Sequence, residues 1–130
     1  MRLRSDIWVA ALIRRAFGAG AHAAVAHGGD AIAGAVFVTV DRLDGTCDLY
    51  GPRPQSLDDG ETAEGTRTFE RVLSRVDRPT MLARIASERR FDSDLWLVDV
   101  EDRDGRCFIE PPPYDPARPS PPPVEWPPRG

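Results

Sequence analysis

Four residues of this 130-residue chain are best suited to bind a metal or to act as nucleophiles: His22, His27, Cys47 and Cys107. Two cysteines and two histidines are the ligand set of a Cys₂His₂ zinc site, and such a site tolerates four residues between its histidines. The cysteines, however, stand sixty positions apart, without the short spacing that marks such sites. If residues 22–27 form a strand, the two histidines also point to opposite faces. We therefore expect structural histidines and no bound metal or cofactor.

The same four residues suggest a second chemistry. A cysteine thiolate beside a histidine can attack a substrate. At a hairpin position, however, a cysteine is more typical of a small apolar filler of the core. A metal-dependent or cysteine-based enzyme that uses His22, His27, Cys47 or Cys107 is thus the alternative function. Our first expectation is a protein without catalytic residues.

The chain contains no lysine and no asparagine, and Gln55 is its only side-chain amide. Without lysine it has neither a P-loop cation nor a Schiff base, and without asparagine it has no Cys-His-Asn set. A G-x-G-x-x-A match begins at Gly18, but it follows a predicted helix, whereas a dinucleotide site follows a strand. No nucleophile-elbow sequence supports a serine triad. These absences favour a binding function over catalysis.

The segment from Tyr50 to Gln55 is the best candidate for recognition. It combines an aromatic ring, prolines, a guanidinium and an amide, and it opens a predicted loop over residues 51–65. Long loops in compact domains often carry function. We therefore predict a non-enzymatic binding or accessory module that contacts a protein or an anionic ligand through this loop. The candidate binding residues are Tyr50, Arg53 and Gln55, helped by Arg14 and Arg15.

Charge and hydropathy limit the possible partners. The net charge is −4 and the isoelectric point is near 5.1, so attraction to nucleic acid or to an anionic membrane is not expected. No apolar run approaches the length of a membrane span. The apolar run from Ile7 to Ile13 is too short, and too closely bounded by charge, for a signal peptide. We expect a cytoplasmic protein with a possible protein partner; the oligomeric state is not predicted.

The hydrophobic pattern predicts two helices. Ser5 or Asp6 can cap the first, which runs to about Phe17. Its core face is predicted to hold Trp8, Val9, Leu12, Ile13 and Ala16. Pro79 can open the second helix, which ends near Phe91. The core face of this helix is predicted to hold Met81, Leu82, Ile85 and Ala86.

The remaining signals indicate strands. Residues 21–27, 32–40 and 47–50 are predicted to form a three-stranded meander, with Asp44-Gly45 as a tight turn. Residues 66–76 fit either a helix or a strand, and their threonine and valine content favours a strand. Two further strands are predicted over residues 95–100 and 107–110. The expected fold is therefore α+β, with a mostly antiparallel sheet of five or six strands and two packed helices.

Composition changes abruptly after Glu110. Half of residues 111–130 are proline, which favours an extended or disordered tail and cannot build a core. Residues 1–110 are therefore predicted to form a single domain. A second alternative function follows, in which the domain is a scaffold that presents this tail to a partner, with Trp126 as an anchor.

Three segments resemble a known family. They are residues 2–9 (Arg-Leu-Arg-Ser-Asp-Ile-Trp-Val), residues 49–52 (Leu-Tyr-Gly-Pro) and residues 90–96 (Arg-Phe-Asp-Ser-Asp-Leu-Trp). Together they are similar to an uncharacterised family of short bacterial proteins, domain of unknown function 1491. The resemblance covers about residues 1–110 and implies a small cytosolic α+β protein. It implies no catalytic residue, and it makes the proline-rich segment an extension.

Overall fold

The computed structural model describes residues 3–54 and 67–115. Its elements follow the order α1 (Ser5–Gly18), β1 (His22–His27), β2 (Val36–Asp41), β3 (Cys47–Pro52), β4 (Phe69–Val76), α2 (Arg78–Phe91) and β5 (Trp96–Glu101). The α+β class and both helices are confirmed. The segment that fitted either a helix or a strand is a strand from Phe69 onward.

The five strands form one mixed sheet in the order β1-β5-β2-β3-β4. The central pair, β2 and β5, runs parallel, and the other three pairs are antiparallel. The expectation of a mostly antiparallel sheet is therefore wrong at its centre. The predicted meander is wrong as well, because β5 lies between β1 and β2.

The connection from β1 to β2 explains this insertion. It is a long loop that packs against the chain just before β5, where Asp30 N donates to Asp94 O at 2.9 Å. Trp96 Nε1 donates to Asp30 O at 2.8 Å. Gly29 lies so close to the Asp94 carbonyl that a side chain at this position would collide with it. The loop thus carries the chain past the edge of β5, so β2 joins the sheet on the far side.

The two helices cover opposite faces of the sheet. Val38 and Val98 pack in one cluster with α1, whereas Phe37 and Leu97 pack in the other with α2. Neighbouring residues of a strand point to opposite faces, so each helix has its own core. The predicted core face of α1 is confirmed, with these residues buried and Ile13 partly buried: Trp8, Val9, Leu12 and Ala16.

Helix α2 buries a narrower stripe than its sequence predicts. Met81 and Ile85, four residues apart, are buried. Leu82 is 46 % exposed and Ala86 is also exposed, so these two assignments to the core are wrong. Asp77 caps the helix by accepting a hydrogen bond from Thr80 N at 2.8 Å. The rest of the helix stands away from the sheet and leaves a groove.

The predicted strand over residues 107–110 is absent; the chain there runs irregularly across the α1 side. Arg15 holds it, since Nε and Nη2 donate to Phe108 O at 3.1 and 2.8 Å. Ile109 is buried in the same cluster. A guanidinium and a buried side chain thus fix this segment where a strand pairing was expected.

The chain then reaches the edge of β4. Tyr114 N donates to Phe69 O at 2.8 Å, and Arg71 N donates to Tyr114 O at 2.9 Å. This bridge is parallel. The predicted boundary at residue 110 stays a prediction, because residues 116–130 lie outside the described part of the chain. In the part described, neither helix is long and apolar enough to cross a membrane.

Candidate functional site

The end of β3 separates two recesses. Arg53 lines one of them, the Arg53 recess, which has a volume of about 240 Å³. Pro52 and Pro54 line the other, a groove of about 370 Å³ between α2 and the sheet, here named the α2 groove. Successive residues of an extended chain point to opposite sides. Arg53 therefore lines one recess, while the prolines on either side of it line the other. The Arg53 recess is lined by Arg53, Thr68, Phe69, Pro111, Pro112, Pro113 and Tyr114.

Arg53 is held in place by a ring and by its own backbone. Its guanidinium carbon lies 4.2 Å from the centre of the Tyr114 ring, a cation–π contact. Its backbone N donates to Thr68 O at 2.9 Å. Across residues 3–54 and 67–115, no carboxylate pairs with this guanidinium. Its hydrogen-bond donors are therefore positioned and still available to an oxyanion.

Asp115, the residue that follows Tyr114, forms an ion pair with β4. Arg71 Nη2 lies 2.6 Å from Asp115 Oδ2, and both side chains are mostly buried. This pair and the two backbone hydrogen bonds to β4 hold the ring beneath Arg53. The sequence alone did not single out Tyr114, because it lies within the proline-rich segment. Only the bridge to β4 reveals its role.

Tyr50 lies under this surface. It is 6 % exposed and belongs to the core cluster on the α1 side. Burial raises the pKa of Tyr50 to about 12. Arg71 lies opposite Tyr50 in the pairing of β3 with β4. The same Arg71 forms the ion pair with Asp115. Tyr50 supports the site from below, and its ring does not reach the surface.

The other predicted binding residues are dispersed. Gln55 lies outside the described residues. Arg15 is engaged with Phe108 O, and Arg14 is exposed on α1. Neither of these two arginines lines the Arg53 recess. Of the predicted set, Arg53 is therefore the residue that lies in a recess with its guanidinium available.

The histidines and cysteines are also apart. His22 and His27 lie on β1 at one edge of the sheet, with β5 and β2 between them and β3. Cys47 faces α2, whereas Cys107 packs on the α1 side. Desolvation by burial raises the pKa of both thiols. Within residues 3–54 and 67–115, no three His, Cys, Asp or Glu side chains are grouped to hold a metal.

The α2 groove is apolar at its floor and charged at its rim. Phe37 and Val72 belong to the core cluster below α2. Gly51 packs so closely on the Phe37 ring that a side chain at this position would collide with it. Phe91, at the end of α2, is 89 % exposed beside the groove. The rim also carries the Arg84–Glu88 ion pair, at 3.0 Å.

Comparison with known proteins places the chain among relatives without an assigned activity. The family described as "Protein of unknown function (DUF1491)" matches residues 3–110. The solution structure of protein Atu0922 from A. tumefaciens is 45 % identical, covers 84 % of this chain and 93 % of its own, and superposes with a TM-score of 0.72. The crystal structure of a DUF1491 family protein from Caulobacter crescentus CB15 is 42 % identical, with coverage of 86 % and 97 % and a TM-score of 0.70. Among curated proteins, no match is found.

Proposed function

Because this chain belongs to the DUF1491 family, whose function is unknown, we propose its role from its own surface. It is a non-enzymatic binding module that recognises an oxyanion, a carboxylate or a phosphate, at the Arg53 recess. The observation that carries this proposal is the Arg53 guanidinium, stacked on Tyr114 and without a carboxylate partner in the described chain. The ligand is either an acidic segment of a protein or a free anion.

The chemistry of arginine supports an oxyanion ligand. A guanidinium is planar and presents its donors in a fork that matches a carboxylate or phosphate, and stacking on an aromatic ring keeps this fork exposed at its edge. The neighbouring guanidinium of Arg71 is neutralised by Asp115. Among the described residues that line the recess, Arg53 is therefore the one cation on which recognition depends.

The walls of the recess support binding without chemistry. Pro111, Pro112 and Pro113 line it with Tyr114, and none of these side chains is a nucleophile at neutral pH. Proline rings are rigid, so the wall loses little conformational entropy when a ligand is bound. A shallow, preformed recess with one charged group suits a weak and reversible contact.

The test is an NMR titration of the full chain labelled with ¹⁵N. The probes are inorganic phosphate and a short capped oligoglutamate peptide. We expect saturable shifts at the amides of Arg53, Thr68 and Tyr114. If only the peptide produces them, the ligand is an acidic protein segment; if phosphate alone does, it is a free anion.

Variants separate the proposed contact from general charge effects. Arg53→Ala should abolish the shifts, and Arg53→Lys should weaken them at least several-fold because a lysine lacks the planar fork. Arg90→Ala, which removes an exposed arginine from α2, is the matched control and should bind as the wild type does. Shifts that are absent from the recess, or unchanged in Arg53→Ala, would overturn the proposal. Arg14→Ala tests whether this predicted helper residue contributes.

A further inference from the structure

The α2 groove is a second surface that oxyanion binding leaves unexplained. Its apolar floor of Phe37 and Val72 is open because α2 buries only a narrow stripe. The exposed ring of Phe91 stands at one side. A monomeric protein seldom leaves a large aromatic side chain exposed beside an apolar groove without an occupant.

The path of the chain leads to this groove. Tyr114 is bridged to Glu70, and Glu70 itself lines the groove. The bridge is parallel, so the chain at Tyr114 and Asp115 runs in the direction of β4. The described part of the chain therefore stops at Asp115, beside the strand that carries Glu70, and residues 116–130 follow directly in the sequence.

The segment that follows suits the groove in its composition and is complementary to it in charge. It contains seven prolines and Trp126, and extended proline-rich chains dock into aromatic grooves at low entropic cost. Its cations are Arg118 and Arg129, against one acid, Glu125. The charged side chains lining the groove are Glu70, Glu88 and Asp92, against one cation, Arg84.

We propose that residues 116–130 dock in the α2 groove of their own chain, with the Trp126 ring packed against Phe91 and Val72. Trp126 lies eleven positions after Asp115, a distance of about 34 Å when the chain is extended at ~3.1 Å per residue. Helix α2 is only about 21 Å long at ~1.5 Å per residue, so every part of the groove is within reach. Tethering gives the segment a millimolar effective concentration, so weak contacts suffice. The proposal does not depend on the Arg53 recess.

The test is NMR of the full chain, in which the indole signal of Trp126 is identified by its loss in Trp126→Ala. We expect nuclear Overhauser contacts from this ring to the Phe91 ring and the Val72 methyl groups. Phe91→Ala should shift the Trp126 signal toward the position of a solvated indole. Phe17→Ala is the matched control, because Phe17 is also an exposed phenylalanine, 53 % exposed, but lies on α1.

Each alternative occupant gives a different result. A Trp126 ring without contacts to the groove, and insensitive to Phe91→Ala, would overturn the proposal and leave the tail available to a partner. In a mixture of labelled and unlabelled chains, contacts between different molecules would identify a second copy as the occupant, which also overturns it. The fold is not at risk in these variants, because the Phe91 side chain is exposed.

Discussion

Arg42 and Asp48 form an ion pair inside the protein: Arg42 Nη2 lies 2.6 Å from Asp48 Oδ2, and no part of the Asp48 side chain is exposed. The other carboxylate oxygen accepts a hydrogen bond from Arg75 N at 2.8 Å. The Arg42 guanidinium also packs against the backbone of Gly105. One buried pair therefore connects the β2–β3 hairpin to the end of β4 and to the turn after β5.

Removing the charge of Asp48 should destabilise the protein strongly. In Asp48→Asn, the mostly buried Arg42 guanidinium loses its anion, and breaking such a pair costs about 3 kcal/mol of the free energy of unfolding. Urea denaturation measures this loss. The control is Glu88→Gln, which breaks the exposed Arg84–Glu88 pair and should cost less than about 0.5 kcal/mol. If the two variants lost equal amounts of stability, the Arg42–Asp48 pair would not have the structural role assigned to it here.

Two turn glycines provide a matched comparison. Gly45 and Gly105 both have positive φ, +90° and +74°. An alanine at either position pays about 1 kcal/mol for its left-handed conformation. At Gly45 nothing lies within 4 Å of the added methyl group, whereas at Gly105 the methyl group would collide with the Arg42 guanidinium. Gly105→Ala should therefore cost roughly 1 to 2 kcal/mol more than Gly45→Ala in chemical denaturation. A smaller cost at Gly105 would show that Arg42 moves away freely.

Asp102 should give the protein a pH-dependent stability. Hydrogen bonds from Arg106 hold the pKa of this carboxyl below its ordinary value of 3.8. Its stabilising effect is therefore complete above that value and disappears as the pH falls through the lower pKa of the folded state. We expect Asp102→Asn to be less stable than the wild type near neutral pH, with the difference shrinking on acidification. Denaturation curves at a series of pH values test this, and a difference independent of pH would refute it.

Tyr50 should make the stability of the protein depend on pH in the alkaline range. Burial raises its pKa from 10.0 to about 12, so the folded state holds its proton where the unfolded state releases it. The stability of the wild type should fall as the pH rises from 10.0 toward 12, and Tyr50→Phe should lose less over that range. The chain has no lysine, so few other groups titrate there. Ultraviolet absorbance of the phenolate follows the ionisation directly. A Tyr50 that ionises near its ordinary pKa of 10.0 would contradict its burial.

Most of the local elements could be predicted from the pattern of residue types along the chain. The helical spacing from Trp8 to Ala16 defines which face of α1 is buried, because a helix repeats every 3.6 residues and needs one apolar stripe. The Asp-Gly pairs at residues 44–45 and 104–105 mark tight turns, because glycine adopts positive φ without steric cost. Arg53 was predicted from the sequence as a candidate binding residue, a guanidinium in a loop segment that also holds an aromatic ring, prolines and an amide.

The way in which these elements meet depends on contacts between residues that are far apart in the chain. The pairing of β5 with β2 depends on contacts between the loop around Asp30 and residues 94–96, which are more than sixty positions away in the chain. The bridge from Tyr114 to β4 turns a residue of a proline-rich segment into the ring beneath Arg53. Likewise, the sequence does not indicate that Asp48 is buried, and only the folded structure shows its ion pair with Arg42. Hydrophobic periodicity reports the environment of a residue, but it carries no information about which distant partner supplies that environment.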